Sequence, residues 1–455
     1  MICAALAMFI LPGGAYAQQS KPAAPAQDLS FVATEDLIAK LQKESNQGIG
    51  THETAWATGF MAIDDEPKFN GGIIGSAKPV VSPVMRELVR RGIAALPQLI
   101  NHMSDARPTE LIVGDGFTGK WFGSEYDQRD RDPRKPPPGV RAPFSNSSGT
   151  PQREFDHYTV KVGDLCFVAA GQIVNRQFNA VRYQPSMCLV VNSPLETPAL
   201  AAAVKADWNG LTAAGHQRSL EEDALNSVDP ELPQEAVKRL LFYYPDAGNA
   251  VAIRLLDRPF FDTTLVSNFF RNSLLETNDN GQQDKLMADF RKEHGEVNYR
   301  AVEWLLTWDS IFPQDPVNAE QSRNKIVSAK MLRRLFPGVD PYHTPMLDAV
   351  TFYNQHHLVD ALAAFHSREI DEAIFQVLRR AAELNTKDIN DQFEQCDLAY
   401  ACGKRLIRPE NRDDLDRAFQ SLDFQGDMKD PQRARKIDQR VQKFLHDLII
   451  KLTPE

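Results

Sequence analysis

Apolar side chains recur at helical spacing in short, paired stretches of the chain. The clearest pair lies at 82–103, where Ser82 can cap a first helix, Pro83 suits its first turn and Gly92 can end it. Its two stripes follow the i, i+3, i+4, i+7 rule: Val84, Met85, Leu88 and Val89, then Leu96, Leu99, Ile100 and Met103. The pattern predicts two short amphipathic helices that form an antiparallel hairpin.

Similar stripes recur further along the chain. They are Val237, Leu240, Leu241 and Tyr244; Leu358, Leu362 and Phe365; Ile370, Ile374, Val377, Leu378 and Ala381; and Ile437, Val441, Phe444, Leu445 and Leu448. None of these short helices could bury its stripe alone, whereas stacked pairs could. Because the units are unevenly spaced, we predict a mainly α fold in the form of an irregular α-solenoid of helical hairpins.

One region departs from the helical pattern. Residues 104–162 hold two β-like stretches, at 110–113 and 157–162, on either side of a long Pro-rich, charged loop. Loops of this length are usually either functional or disordered. We therefore expect a small β-containing insertion, a loop with a β-hairpin, within a helical-repeat domain at 31–455.

The N-terminus has the pattern of a secretory signal. Residues 2–11 are apolar, a Pro-Gly-Gly break follows, and Ala15, Tyr16 and Ala17 give the small-x-small pattern of a cleavage site. No Lys or Arg precedes the apolar run, and the run is too short to span a bilayer. We predict a signal peptide at 1–17 and a flexible leader at 18–30, so that the mature protein is exported, either periplasmic or extracellular. An uncleaved anchor is the alternative.

Composition and net charge argue against some classes of partner. The chain is 42% hydrophobic and 25% charged, which is ordinary for a globular protein, and its net charge of −10 argues against nucleic-acid binding. No other apolar stretch is long enough to predict a membrane span in the mature chain. Four cysteines remain after the signal, namely Cys166, Cys188, Cys396 and Cys402. Export permits their oxidation, but the sequence leaves open whether they form disulfides.

Three motifs that suggest a cofactor or metal are incomplete. Residues 113–121 match the glycine and lysine spacing of a phosphate-binding loop, but Trp121 stands where a hydroxyl should hold magnesium. His52 and Glu53 lack the second histidine of a zinc protease, and the group around His343, His356 and His357 offers too few converging ligands. We therefore predict neither a cofactor nor a metal site.

The strongest binding candidate is the stretch at 163–185. It sets an apolar helix beside a dense group of polar residues that includes Arg176, Arg182 and Tyr183. Arginine suits carboxylates and phosphates, so this group could line a pocket for an anion or a peptide. The alternative is a buried hydrogen-bond network that fixes the loop after the helix. Trp121, in the insertion, is the fourth candidate binding residue.

The chain also resembles a family of uncharacterised exported bacterial proteins that are HEAT-repeat-like. The resemblance covers most of 80–385 and rests on RELVRRGIAALPQLINHMSDARPT, WFGSEYD, VGDLCFVAAGQIVNR with AVRYQP and VNSP, and VDALAAFHSREIDEAIFQVLRRA. It implies that the hairpins are HEAT-like and that an insertion interrupts them. It implies no catalytic activity. Proteins of this kind usually bind other proteins along a concave surface, which is an analogy from fold alone.

These features together predict an exported binding or scaffold protein, more likely not an enzyme, whose partner is a protein or peptide of the cell envelope. The alternative is an envelope hydrolase that acts on polysaccharide or peptide. Such an enzyme would need carboxylates or histidines that the fold brings together, and the sequence cannot place such a pair in space.

Overall fold

The computed structural model describes most of the chain between residues 28 and 408, and it is mainly helical. The described residues are 28–45, 51–52, 57–63, 68–69, 81–114, 119–126, 155–183, 189–226, 232–258, 280–308, 358–365, 367–383 and 389–408, with a few single positions near 270 and 414. Within these residues, no helix is both long enough and apolar enough to cross a membrane.

The helices fall into an N-terminal and a C-terminal set. The first set is α1 (Thr34–Lys40), α2 (Pro83–Arg90), α3 (Leu96–Asn101), α4 (Val162–Val174) and α5 (Pro198–Trp208). The second set is α6 (Ala213–Asn226), α7 (Leu232–Tyr243), α8 (Pro245–Leu256), α9 (Asn280–Trp308), α10 (Arg368–Glu383) and α11 (Ile389–Leu406). Short 3₁₀ turns at Leu41–Lys43, Gly92–Ala94, His102–Ser104 and Leu362–Ala364 extend or join them.

The strands belong to the N-terminal part. They are β1 (Thr51–His52), β2 (Ala57–Thr58), β3 (Lys68–Phe69), β4 (Pro108–Val113), β5 (Lys120–Phe122), β6 (Tyr158–Lys161), β7 (Val181–Tyr183) and β8 (Leu189–Val191). A mixed four-stranded sheet has the order β1-β7-β8-β5, in which β7 and β8 are antiparallel and both outer pairs are parallel. β4 pairs with β6, and β2 with β3, as antiparallel ribbons.

The two helices predicted at 82–103 form as α2 and α3, and both pack on α4 rather than mainly on each other. The Ser82 hydroxyl accepts the backbone N–H groups of Val84 and Met85, at 3.1 and 3.3 Å, and Pro83 is the first helical residue. Gly92 closes the helix with a φ of +54°, a conformation that disfavours side chains larger than hydrogen. The space is restricted too, because a Cβ atom at this position would meet the ring of Tyr243 at 2.7 Å.

α4 is the centre of a first hydrophobic core. Every residue of this helix except Gln172 is buried, and it contacts α1, α2, α3 and α6. Phe167 of α4 stacks on Phe178 with the ring centroids 4.7 Å apart. Leu111 and Val160, from the ribbon of β4 and β6, belong to the same core. Full burial of one such side chain stabilises a fold by about 1.5–3 kcal/mol.

Five helices of the second set, α6, α7, α8, α10 and α11, surround a separate core. α6 packs on α7, α7 on α8, α8 on α10, and α10 on α11. Charged side chains reinforce these contacts at helix ends. Arg380 of α10 donates to the backbone carbonyls of Leu256 and Asp257, which end α8. Arg405 of α11 pairs with Asp371 of α10 at 2.8 Å.

Two boundaries differ from those that the sequence predicts. The predicted leader ends at residue 30, yet Leu29 is buried and Arg91 binds the carbonyls of Leu29 and Ser30 at 3.1 and 3.2 Å, so packing already begins there. The β structure extends beyond residue 162, because β7 and β8 join the sheet through β5 of the insertion. The insertion is therefore built into the first core rather than set apart from it.

Candidate functional site

The C-terminal end of α4 is covered by cationic and aromatic side chains. The last carbonyls of a helix have no partner within it, so each needs one from outside. The carbonyl of Gly171 accepts the backbone N–H of Arg176 at 2.9 Å. The carbonyl of Gln172 accepts from Nε of Arg239 at 2.6 Å, and that of Ile173 from Nε2 of His216 at 2.9 Å. These donors also complement the negative end of the helix dipole.

Arg176, one of the four predicted binding residues, lies in this group. Its guanidinium donates to both carboxylate oxygens of Asp223, at 2.5 and 3.1 Å, and to the carbonyl of Asn175 at 2.9 Å. It also lies over the ring of Trp208, 5.3 Å from the centroid, where a cation–π attraction operates. The guanidinium thus already has a carboxylate partner within the chain and connects α4 to α5 and α6.

Arg239 is the largest fully buried side chain of the described residues, with 2% of its surface exposed. Its charge is balanced by Glu235, one turn earlier on α7, at 3.0 Å. The guanidinium also lies 4.6 Å from the ring centroid of Phe60. A buried cation is tolerated only with such a partner and with its N–H groups satisfied, so this arrangement is a structural requirement of the fold.

His216 is 1% exposed and uses both ring nitrogens. Nε2 faces the carbonyl of Ile173, which can only accept, so Nε2 carries the proton and Nδ1 accepts from the Tyr244 hydroxyl at 3.0 Å. Burial has the largest effect and lowers the pKa of His216 below its ordinary value; the positive charge of Arg239 acts in the same direction, whereas the hydrogen bond to Ile173 and the charge of Asp223 oppose it. The net shift favours the neutral imidazole.

The N-terminal end of α4 holds an acid. The Oδ2 atom of Asp164 accepts the Tyr158 hydroxyl at 2.7 Å and the backbone N–H of Lys161 at 2.8 Å. The Tyr158 oxygen also lies 3.1 Å from the Ser193 hydroxyl. Asp164 is completely buried, and burial raises its pKa from 3.8 to about 6 although these hydrogen bonds oppose the shift.

The other three predicted binding residues lie in the four-stranded sheet. Arg182 of β7 and Trp121 of β5 are both register partners of Val190, the middle residue of β8. Tyr183 pairs with Leu189 in the next row, and His52 of β1 pairs with Arg182. The structure therefore brings positions 121 and 182 into one row across the sheet, which we call the Trp121 row.

The Trp121 row lies on the opposite side of the sheet from the first core. Phe122 and Val191 pair in the neighbouring row and pack into that core. Because successive residues of a strand face opposite sides, positions 121 and 190 face away from it. Trp121 is partly exposed, whereas Val190 is buried. Arg176 lies outside the sheet, so the four predicted residues do not form a single cluster.

Sequence reasoning overlooked His216, Asp223 and Arg239. A signal for them exists, because His216, Leu220 and Asp223 have the i, i+4, i+7 spacing of one helix face, and Arg239 adjoins the apolar stripe of α7. Ionisable residues on the apolar face of a helix indicate a buried polar contact between elements. Their partners could not be identified without the fold: carbonyls at the end of α4 accept from His216 and Arg239, and the side chains of Arg176 and Asn175 donate to Asp223.

The buried carboxylates Asp164, Asp223 and Glu235 each accept hydrogen bonds inside the fold. The described residues contain no group of three or more His, Cys, Asp or Glu side chains that could hold a metal ion. In the motif at 113–121, Lys120 begins a strand rather than the helix that phosphate binding would require. His343, His356 and His357 lie outside the described residues.

Two of the four cysteines are resolved as free thiols. Cys166 in the first core and Cys402 in the second are buried, and burial raises the pKa of both thiols. A buried thiol with a raised pKa forms little thiolate and is therefore unreactive.

Comparisons of the chain with protein-family models, with curated proteins and with solved structures find no match.

Proposed function

We propose that this protein is an exported binding or scaffold module that recognises a protein or peptide of the cell envelope through the Trp121 row. The observation that carries the proposal is that Trp121 and Arg182 are both register partners of Val190, in a row of the sheet where Trp121 and Val190 face away from the first core. Aromatic residues and arginine are the types that contribute most to protein interfaces.

The packing of the helices supports a scaffold role. Helices that follow each other in the chain also neighbour each other in space from α6 to α8, and α10 and α11 continue the stack. This is the arrangement expected of an irregular solenoid of HEAT-like hairpins, in which each pair completes the core of the next. The signal-peptide pattern at 1–17 supplies the exported location in this proposal.

The contacts of Arg176 exclude it from the proposed binding site. Its guanidinium is bound by Asp223 and lies over Trp208, so an anionic partner would have to displace an ion pair to reach it. We therefore assign partner binding to Trp121 and Arg182 and a structural role to Arg176, and we leave Tyr183 out because it pairs with Leu189 in the row that belongs to the first core. The polar residues beside α4 then act mainly in stabilising the fold rather than in binding a partner.

The test is affinity capture from envelope extract with the purified chain, followed by titration calorimetry with any partner recovered. Trp121→Ala and Arg182→Ala should each weaken binding at least about tenfold, as expected for interface anchors. Phe31→Ala and Arg218→Ala are matched controls, because both residues are exposed and lie outside the sheet. Equal binding by all four variants, or equal loss in all four, would contradict the assignment.

A further inference from the structure

The two hydrophobic cores meet at Tyr243, which packs against both, and across a polar junction beside it, which we define as residues 172–176 at the end of α4 with the parts of α6 and α7 that contact them. The first core extends to Trp208 of α5, and the second begins with Leu220 of α6. His216 lies between these positions on α6 and bonds to Ile173 of α4. Asp223 and Arg239 cross the junction in the same way, to Arg176 and Gln172.

We propose that this junction is a pH-sensitive joint, which loosens when His216 takes up a proton while each core stays folded. The hydrogen bonds fit a neutral ring, since Nε2 donates to the carbonyl of Ile173 and Nδ1 accepts from the hydroxyl of Tyr244. Protonation would give Nδ1 a hydrogen that faces the Tyr244 oxygen, so this hydroxyl would have to turn away. It would also place an unsolvated charge at a site with 1% exposure.

The charges around His216 offer little compensation. Arg239 of α7 is a second cation, and its own partner is Glu235. Asp223 of α6 is the nearby anion, but it already binds the guanidinium of Arg176 through both oxygens. Among the described residues, His216 also contacts the carbonyl of Ile173, the hydroxyl of Tyr244 and the ring of Tyr243, whose centroid lies 5.5 Å from that of the imidazole. A proton on His216 is therefore accommodated best when α6 moves away from α4 and water enters.

The direction of the pH dependence follows from linkage. The pKa of His216 in the closed junction is below its ordinary value of 6.5. The free energy that the neutral ring contributes to the closed junction is therefore fully present above about pH 6.5. It is lost as the pH falls through the lowered pKa of His216. Since opening is coupled to the uptake of one proton, the open population can rise by up to about tenfold per pH unit in that range.

The experiment is amide hydrogen exchange of the full chain at pH 7.5 and 5.0, with rates corrected for intrinsic exchange. We expect peptides from 172–177 and 213–226 to lose protection at pH 5.0, whereas peptides from α2 and from α10 keep it. His216→Gln is the decisive variant, because its amide can donate to Ile173 and accept from Tyr244 without titrating. It should keep the junction closed at both pH values.

Two further variants keep the test decisive if His216→Gln does not fold. Tyr244→Phe removes the donor to Nδ1, so loosening should begin at a higher pH. His102→Gln alters a histidine that lies between Glu35 and Asp105, away from the junction, and should leave the response unchanged. Equal protection at both pH values, loss of protection throughout the chain, or an unchanged response in both His216→Gln and Tyr244→Phe would overturn the proposal.

Discussion

The two ends of α4 satisfy the same backbone requirement in different ways. At the N-terminal end, Asp164 accepts the N–H of Lys161 and the hydroxyl of Tyr158, and no cation is among its hydrogen-bond partners. At the C-terminal end, the guanidinium of Arg239 and the neutral ring of His216 donate to the last carbonyls. One end depends on an acid whose charge is disfavoured by burial, and the other on a cation whose charge is balanced by Glu235.

This difference shows which groups make each end depend on pH. The guanidinium of Arg239 keeps its proton at any ordinary pH, so at the C-terminal end a pH dependence can come only from His216. Burial raises the pKa of Asp164 to about 6, so its charge changes at mildly acidic pH. We therefore expect mutation of the C-terminal end to cost the most free energy, and mutation of the N-terminal end to change the pH profile.

The largest expected effect is that of Arg239→Met. Methionine fills much of the space but leaves the carbonyl of Gln172 without its donor and the buried Glu235 without its main cation. Removing one member of a buried ion pair costs about 3–5 kcal/mol, so the free energy of unfolding should fall by that amount. Urea unfolding followed by circular dichroism measures the change.

Two variants separate the charge from the packing. Arg239→Met combined with Glu235→Leu removes both charges and should recover part of the loss, because no buried charge is then left unpaired. Arg218→Met changes an exposed arginine on α6 and should stay within about 0.5 kcal/mol of wild type. A loss below about 1 kcal/mol for Arg239→Met would mean that α4 does not need this donor.

The second effect is the pH dependence that Asp164 contributes. Its pKa is raised from 3.8 to about 6, so the folded state holds its proton more strongly than the unfolded state. The stabilisation is complete below about pH 4 and is lost as the pH rises through 6, a change of about 3 kcal/mol. Asp164→Asn cannot titrate, so its stability relative to wild type should rise by that amount between pH 4 and 7.

This measurement uses urea unfolding at several pH values, with Asp246→Asn as the control. Asp246 is exposed at the start of α8, and its substitution should give no comparable slope. A flat difference between Asp164→Asn and wild type would show that the carboxyl of Asp164 has the same pKa in the folded and unfolded states. That result would remove the contrast between the two ends of α4.

The two helices at 82–103 could be predicted in detail because their signals are local, whereas their packing on α4 could not. A capping serine, a proline in the first turn, a glycine with positive φ and two apolar stripes all act within a few residues of each other. The extent of the β structure was harder to predict from the sequence. Val181–Tyr183 and Leu189–Val191 are too short to show a period, and β8 is a strand because β5 and β7 pair with it.

The candidate site shows the same limit. The sequence identifies 163–185 as a stretch unusually rich in polar residues. In the structure these residues lie in two different places. Arg176 joins the junction through Asp223, which is 47 residues away in the chain, while Arg182 and Tyr183 enter a strand. Partners at such separations are set by tertiary packing, so local patterns could not distinguish recognition from folding at these positions.

The smallest effect tests the residue that ends α4. Asn175 has a φ of +57°, and its side-chain amide donates to Asp223 at 3.0 Å. Asn175→Ala loses the hydrogen bond and puts a methyl side chain in a left-handed conformation, at a cost of about 2 kcal/mol. Asn175→Gly loses only the bond and should cost about 1 kcal/mol, as measured by urea unfolding at pH 7.5. If alanine and glycine cost the same, the backbone conformation contributes nothing, and the C-terminal end of α4 is held by side-chain donors alone.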